Sequence, residues 1–200
     1  MTRHESFGTQ KLSLIDKIIY YLRTKQIVKH AHFNHKVIAD VGSWYNAFFL
    51  QHIKKNFSPK KLIAFDLQLN STLLHKEWIV AQEWNLNHDF TLPEKVDLLL
   101  GTAILEHLSD PIKFLKNAYA NLETWGYLLL TTPSIRSKPV LEFIAFKLKL
   151  INPIEIEDHK EYYTKDKLVH YLEQAGFKKE HIHHNYFELY MNNFILAKKH

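Results

Sequence analysis

A short apolar run, Val37-Ile38-Ala39, ends on Asp40-Val41-Gly42 and gives way at once to helical spacing, with Phe49 and Ile53 four apart. That junction is repeated along the chain. Leu62-Ile63-Ala64-Phe65 ends on Asp66, and Trp78-Ile79-Val80-Ala81 leads into Trp84-Asn85. Val96-Asp97-Leu98-Leu99-Leu100 ends on Gly101, and Tyr127-Leu128-Leu129-Leu130-Thr131-Thr132 is stopped by Pro133. Runs that are apolar on both faces belong to strands covered on both sides. Alternating with helices, they imply a doubly wound, mostly parallel α/β sheet. Two last runs, about 180–187 and 191–198, read as an antiparallel hairpin at its edge, making seven strands.

Helices fill the intervals. Leu14, Ile15, Ile18, Ile19 and Leu22 recur at three- and four-residue spacing, so an amphipathic helix is predicted over about 10–30. Asp110-Pro111 starts another, with the carboxylate free to cap and proline suited to the first turn. Thr164 starts a third, which Gly176 ends. Residues 139–156 are apolar without a clean polar face; a lid, a dimer contact, a surface touching lipid and a core-packed helix all suit that pattern. One domain over 1–200 is expected, with a helical segment at 1–34 and a lid-like insertion at 135–163.

Composition excludes more than it specifies. There is no cysteine, so disulfides, thiolate metal sites and cysteine nucleophiles are ruled out. The formal charge of +5 is spread in scattered pairs such as Lys54-Lys55 and Lys178-Lys179, without the stripe that tracks a nucleic-acid backbone. No nucleic-acid partner, no signal peptide and no membrane span are expected, and the reading is a cytoplasmic protein. Two histidine clusters, His30/His32/His35 and His181/His183/His184, lack a ligand spacing with carboxylates, so no metal is expected.

In open α/β sheets a ligand sits beyond the carboxyl ends of the strands. Asp40, Gly42, Asp66, Asn85 and Gly101 to Ala103 all fall there. Taken with Ile104-Leu105-Glu106-His107-Leu108 before Asp110-Pro111, with Leu122 through Pro133, and with His159 through Phe177, they resemble the class I S-adenosylmethionine-dependent methyltransferases. The Glu-His-Leu and Asp-Pro segment points to the small-molecule branch that includes quinone-biosynthesis enzymes and methyltransferases of glycan pathways.

The resemblance implies S-adenosylmethionine as cofactor and a small-molecule or glycan- or lipid-pathway acceptor. Asp66 would hold the ribose hydroxyls, 24 residues after Gly42. Asn85 would meet the adenine edge, with Leu67, Trp84 and Leu86 as slot walls. Asp40 and Gly42 would serve the methionine end, and Gly101, Thr102 and Ala103 would line the same crevice. Glu106 and His107 are the candidate acid–base pair; structural roles suit them equally. His159, Tyr162 and Tyr163 would touch the acceptor. The family's glycine loop is altered: Trp44 stands at the second glycine and Asn46 at the third. That alteration favours an alternative, a catalytically inactive methyltransferase-like protein that binds a ligand or partner.

Overall fold

The computed structural model describes residues 14–147 and 158–200. Helix α1 (Leu14–His30) precedes β1 (Val37–Val41), α2 (Phe48–Asn56), β2 (Lys61–Asp66), α3 (Ser71–Lys76) and β3 (Ile79–Glu83). Then come β4 (Val96–Thr102), α4 (Pro111–Asn121), β5 (Leu122–Pro133), α5 (Lys138–Glu142), α6 (Lys165–Ala175), β6 (Ile182–Phe187) and β7 (Asn192–Lys198). The strands form one seven-stranded sheet in the order β3-β2-β1-β4-β5-β7-β6. Pairing is parallel from β3 to β5 and antiparallel through β7 and β6. The doubly wound sheet with its edge hairpin is therefore as the sequence pattern predicts.

Side chains alternate across a strand, and the core divides accordingly. Val37, Ala39, Val41, Leu99 and Leu128 pack with α4 and α6 through Leu115, Ala118, Leu168 and Leu172. Ile38, Ala64, Leu98, Leu100 and Leu129 pack with α1, α2 and α3 through Ile27, Leu50, Ile53 and Leu74. The same alternation sends Asp40, Asp66 and Thr102, the last or near-last residues of β1, β2 and β4, to the α1 side.

Several local expectations are corrected. Two residues of the apolar stripe that periodicity picked out on α1 lie outside, with Ile18 51% exposed and Leu22 also exposed, whereas Thr24 and Ile27, which it did not include, are buried. Helix α3 was not foreseen; Asn70 caps it by accepting from Leu73 N at 3.2 Å. Strand β5 begins at Leu122 rather than after Gly126. Leu122 pairs with Val96, the register slips, and Tyr127 pairs with Leu98. The resulting bulge lets β5 follow α4 without a separate loop. Asp110 and Thr164 cap α4 and α6 as expected, accepting from Lys113 N and Lys167 N. Of the 139–156 segment, α5 and a π-type turn at Phe143–Lys147 are described, with Val140 and Phe143 exposed and Ala145 buried. The remainder of that expectation, 148–156, lies outside the described residues, as do residues 10–13 of the first helix. Among the described residues no helix is long and apolar enough to cross a membrane.

Candidate active site

The carboxyl ends of β1 and β4, with α1 laid across them, border a small, partly open cleft. Tyr20, Arg23, Thr24 and Ile27 of α1 form one wall; Asp40, Gly42, Ser43, Trp44, Phe49 and Thr102 form the others. Asp40 is 1% exposed, and its Oδ1 has no hydrogen-bond partner. Burial and the charge of neighbouring Asp66 push its carboxyl up to about 8. A buried carboxylate without a partner is costly, so Asp40 is a group prepared for a cationic or hydrogen-bonding ligand. Arg23 Nε, across the cleft, is also buried without a partner.

The loop after β1 keeps an unusual backbone. Gly42, Trp44 and Ala47 all have positive φ, at 79°, 67° and 46°. Trp44 thus adopts a left-handed conformation that L-residues resist by about 1–2 kcal/mol. Its amide donates to Asp66 Oδ2 at 2.8 Å, which ties the loop to the end of β2. Trp44 lines the cleft, and its ring lies 6.0 Å from that of Tyr20. The left-handed residue near the third position is Ala47, not Asn46; Asn46 Oδ1 accepts from Asn70 Nδ2 instead. A Cβ on Gly42 would meet the Ile104 side chain at 3.1 Å, so the floor of the loop is tightly packed. Helix α2 then begins without a side-chain cap.

Asp66 Oδ1 accepts from Leu67 N at 2.7 Å, so each carboxylate oxygen is oriented by a backbone amide. Asn85 lies just past the end of β3. It is exposed, and its Oδ1 accepts from Asn87 N and Nδ2 in a local turn. Trp84 is exposed and donates to Asp89 O, while Leu86 is buried in the core. Gly101 is buried, and an added Cβ would lie 2.9 Å from Leu130 Cδ2. Ala103 has φ 51°, which turns the chain from β4 toward Glu106.

A second group adjoins the cleft. The 3₁₀ turn Leu105–His107 carries Glu106, 1% exposed, whose Oε2 accepts from Thr132 Oγ1 at 2.9 Å. Burial raises its pKa. His107 Nδ1 lies 3.0 Å from Asp158 Oδ2. The His159 ring stands edge-on to that of His107 at 4.9 Å, and its Nδ1 is 3.2 Å from Tyr162 Oη. Burial, then the His107 charge, lowers His159 to about 4, and burial pushes Tyr162 up to about 12. The segment is fastened over the turn by Lys160 N, which donates to Glu106 O at 2.8 Å. Tyr163 is a correction: it is fully buried and its hydroxyl donates to Leu105 O, so it braces the turn and does not face an acceptor.

The structure thus gathers Asp40, Gly42, Trp44 and Thr102 in one cleft, and Glu106, His107, His159 and Tyr162 beside it. Sequence reasoning missed the α1 wall and Asp158. Arg23 looked like one polar position on a helix, and no local spacing links Asp158 to a histidine 51 residues away.

A family profile described as a methyltransferase domain matches residues 23–182. A tRNA U34 carboxymethyltransferase of Campylobacter curvus is 27% identical over 119 residues, covering 56% of this chain and 39% of its own length. One from Campylobacter jejuni is 28% identical over 152 residues, covering 72% and 50%. The chain therefore spans half or less of the length of these curated relatives. Human N-acetylserotonin methyltransferase, solved in complex with S-adenosylmethionine, superposes with a TM-score of 0.68 at 18% identity, over 90% of this chain and 52% of that one. With the profile spanning most of its length, the chain belongs to the class I S-adenosylmethionine-dependent methyltransferase family.

Proposed function

We propose that this chain binds S-adenosylmethionine in the α1-covered cleft and directs methyl transfer to a small-molecule or glycan- or lipid-pathway acceptor held beside Glu106 and His107. The observation that carries the reading is Asp40: a buried carboxyl with an unpartnered oxygen, facing a cleft at the carboxyl ends of parallel strands. A ligand ammonium answers that orphaned atom. Asp66, already oriented by two amides, suits vicinal hydroxyls. The uncapped start of α2 favours a carboxylate. The residues present therefore fit the cofactor.

When bound, the cofactor supplies a methyl carbon made electrophilic by positive sulfur. The chain's own work is mainly positional, and orientation alone can be worth about 7–11 kcal/mol of a barrier. Thr102 and Trp44 bound the methionine end of the cleft. Glu106 and His107 stand where an acceptor proton would be taken, and Asp158 fixes the His107 ring. Tyr162 and His159 close the acceptor side.

A second reading has one observation behind it. The relatives are named for carboxymethyl transfer to tRNA, which needs a donor bearing an extra carboxylate on the transferred carbon. Arg23 Nε is unpartnered in the cleft wall and could meet such a group. On that reading the acceptor is a nucleobase, against the absence of a basic stripe in the sequence.

Thermal melting separates these outcomes. Saturation with S-adenosylhomocysteine at 100 times its dissociation constant adds about 2.7 kcal/mol and raises the melting temperature by several degrees. An unmoved melting curve rejects the cofactor reading. Tighter binding of the carboxylated donor than of S-adenosylmethionine, lost in Arg23→Met, selects the second reading. Binding with no methyl transfer to any acceptor tried leaves a ligand-binding protein.

A further inference from the structure

We infer that Glu106, His107 and His159 form a binding site for a divalent transition-metal ion, placed beside the cofactor cleft. Among the described residues these three offer one ligand atom each, all within 4.8 Å of one another. Three atoms so spaced fit within roughly 2.8 Å of a common point, against about 2.0–2.1 Å for a zinc–nitrogen bond, so side-chain shifts of under about 1 Å bring them to bonding distance. Two imidazoles and one carboxylate favour zinc or iron(II) over magnesium, which prefers an all-oxygen shell.

The surrounding bonds are the stronger argument. A histidine that ligates a metal characteristically gives its other ring nitrogen to a carboxylate or similar acceptor. His107 does this: Nδ1 is held by Asp158 Oδ2 at 3.0 Å, which leaves Nε2 available. His159 has the matching arrangement, with Nδ1 on Tyr162 Oη. Glu106 commits Oε2 to Thr132 Oγ1. Each ligand is thus oriented by a partner on its far side. The pieces come from two segments that the chain fastens deliberately. Lys160 N donates to Glu106 O, Lys160 Nζ to Ser109 Oγ, and Tyr163 Oη to Leu105 O.

A buried carboxylate beside two imidazoles also suits an acid–base relay, but a relay needs only one histidine. The second imidazole, held by its own partner, is what a metal site explains. With the ion bound, Glu106 and His107 serve as its ligands in place of the proton-accepting role given them above, and three protein ligands leave open positions for water or for an acceptor oxygen, which the ion would polarise and orient. That role rests on the methyl-transfer reading above; the metal site itself does not.

The test is metal binding by the full chain, freed of metal with chelator and without cofactor. CoCl₂ is titrated with visible absorption as the readout, and ZnCl₂ by calorimetry. One equivalent is expected, with absorption bands of a coordinated ion. His159→Gln and His107→Gln should each weaken binding at least tenfold, and Asp158→Asn by about 10–100-fold. His183→Ala, an exposed position on β6, should change nothing. Far-ultraviolet circular dichroism identifies any variant that fails to fold, and Asp158→Asn provides a conservative second arm. Absence of saturable binding overturns the proposal. So does binding unchanged in the two glutamine variants, or lost in His183→Ala. S-adenosylhomocysteine binding is measured separately, so failure of either reading is visible alone.

Discussion

Trp44 is the residue at which the chain most visibly departs from the glycine loop it resembles. Its backbone retains the glycine conformation, at φ 67°, and the residue lines the cleft beside Tyr20. Trp44→Gly should relieve about 1 kcal/mol of backbone strain, offset by lost contact with Tyr20. The expected result is a melting temperature within a few degrees of the parent and S-adenosylhomocysteine binding tightened about tenfold, or about 1.4 kcal/mol, by calorimetry. Weaker binding would show that the indole holds the ligand instead of crowding it. Asp66 has two duties, as a candidate ribose ligand and as the acceptor for Trp44 N and Leu67 N. Asp66→Ala should therefore weaken cofactor binding and also cost about 1–3 kcal/mol of stability in denaturant, since it strips both amides of their acceptor. Asp66→Asn keeps one acceptor oxygen and should lose mainly affinity.

At the scale of elements, the bulge in β5 leaves no room for a side chain at Gly126. A Cβ on Gly126 would lie 2.9 Å from Glu123 O and 3.1 Å from Val96 O, both backbone atoms that cannot swing aside. Gly126→Ala should cost about 1–3 kcal/mol, read as a lower urea midpoint with an unchanged slope. This bulge also shows why sequence reading placed β5 late. Trp125 has φ 68° and is exposed, so the segment carries a turn's signals while its ends still pair with β4. The strands were legible because fully buried runs of Val, Ile and Leu have few alternatives. The caps at Asp110 and Thr164 were legible because they act within three residues. Helix α1 was legible as a helix, at Leu14–His30 within the predicted 10–30, but its buried face was not, because that face depends on the cleft beneath it. Tyr20 and Thr24 turn inward over Asp40, and Ile18 and Leu22 are left outside. For the same reason Asp40 and Gly42 could be nominated from a strand end, whereas Arg23 and Asp158 could not. Their roles exist only after distant segments have met.

For the whole molecule, Asp40 links folding, pH and ligand binding. Its carboxyl is near 3.8 in the unfolded chain and pushed up to about 8 in the fold by burial, with the Asp66 charge adding to it. Between those values the folded state binds more protons than the unfolded state, so the contribution of Asp40 to stability falls as pH rises from about 4 to about 8. Below pH 4 both states hold the proton and the penalty vanishes; above pH 8 it is constant. Asp40→Asn should flatten this slope and make the ligand-free protein more stable at pH 8 than the parent. A ligand ammonium reverses the preference, because a positive charge beside Asp40 favours the ionised form. At pH 7 S-adenosylhomocysteine binding should consequently release close to one proton from Asp40. Calorimetry in phosphate and in Tris, whose ionisation enthalpies differ, reads that proton directly. The observed heats should differ between buffers for the parent and agree for Asp40→Asn, which should also bind more weakly. Equal heats for the parent would mean that the ammonium lies elsewhere and that the unpartnered oxygen of Asp40 serves another ligand.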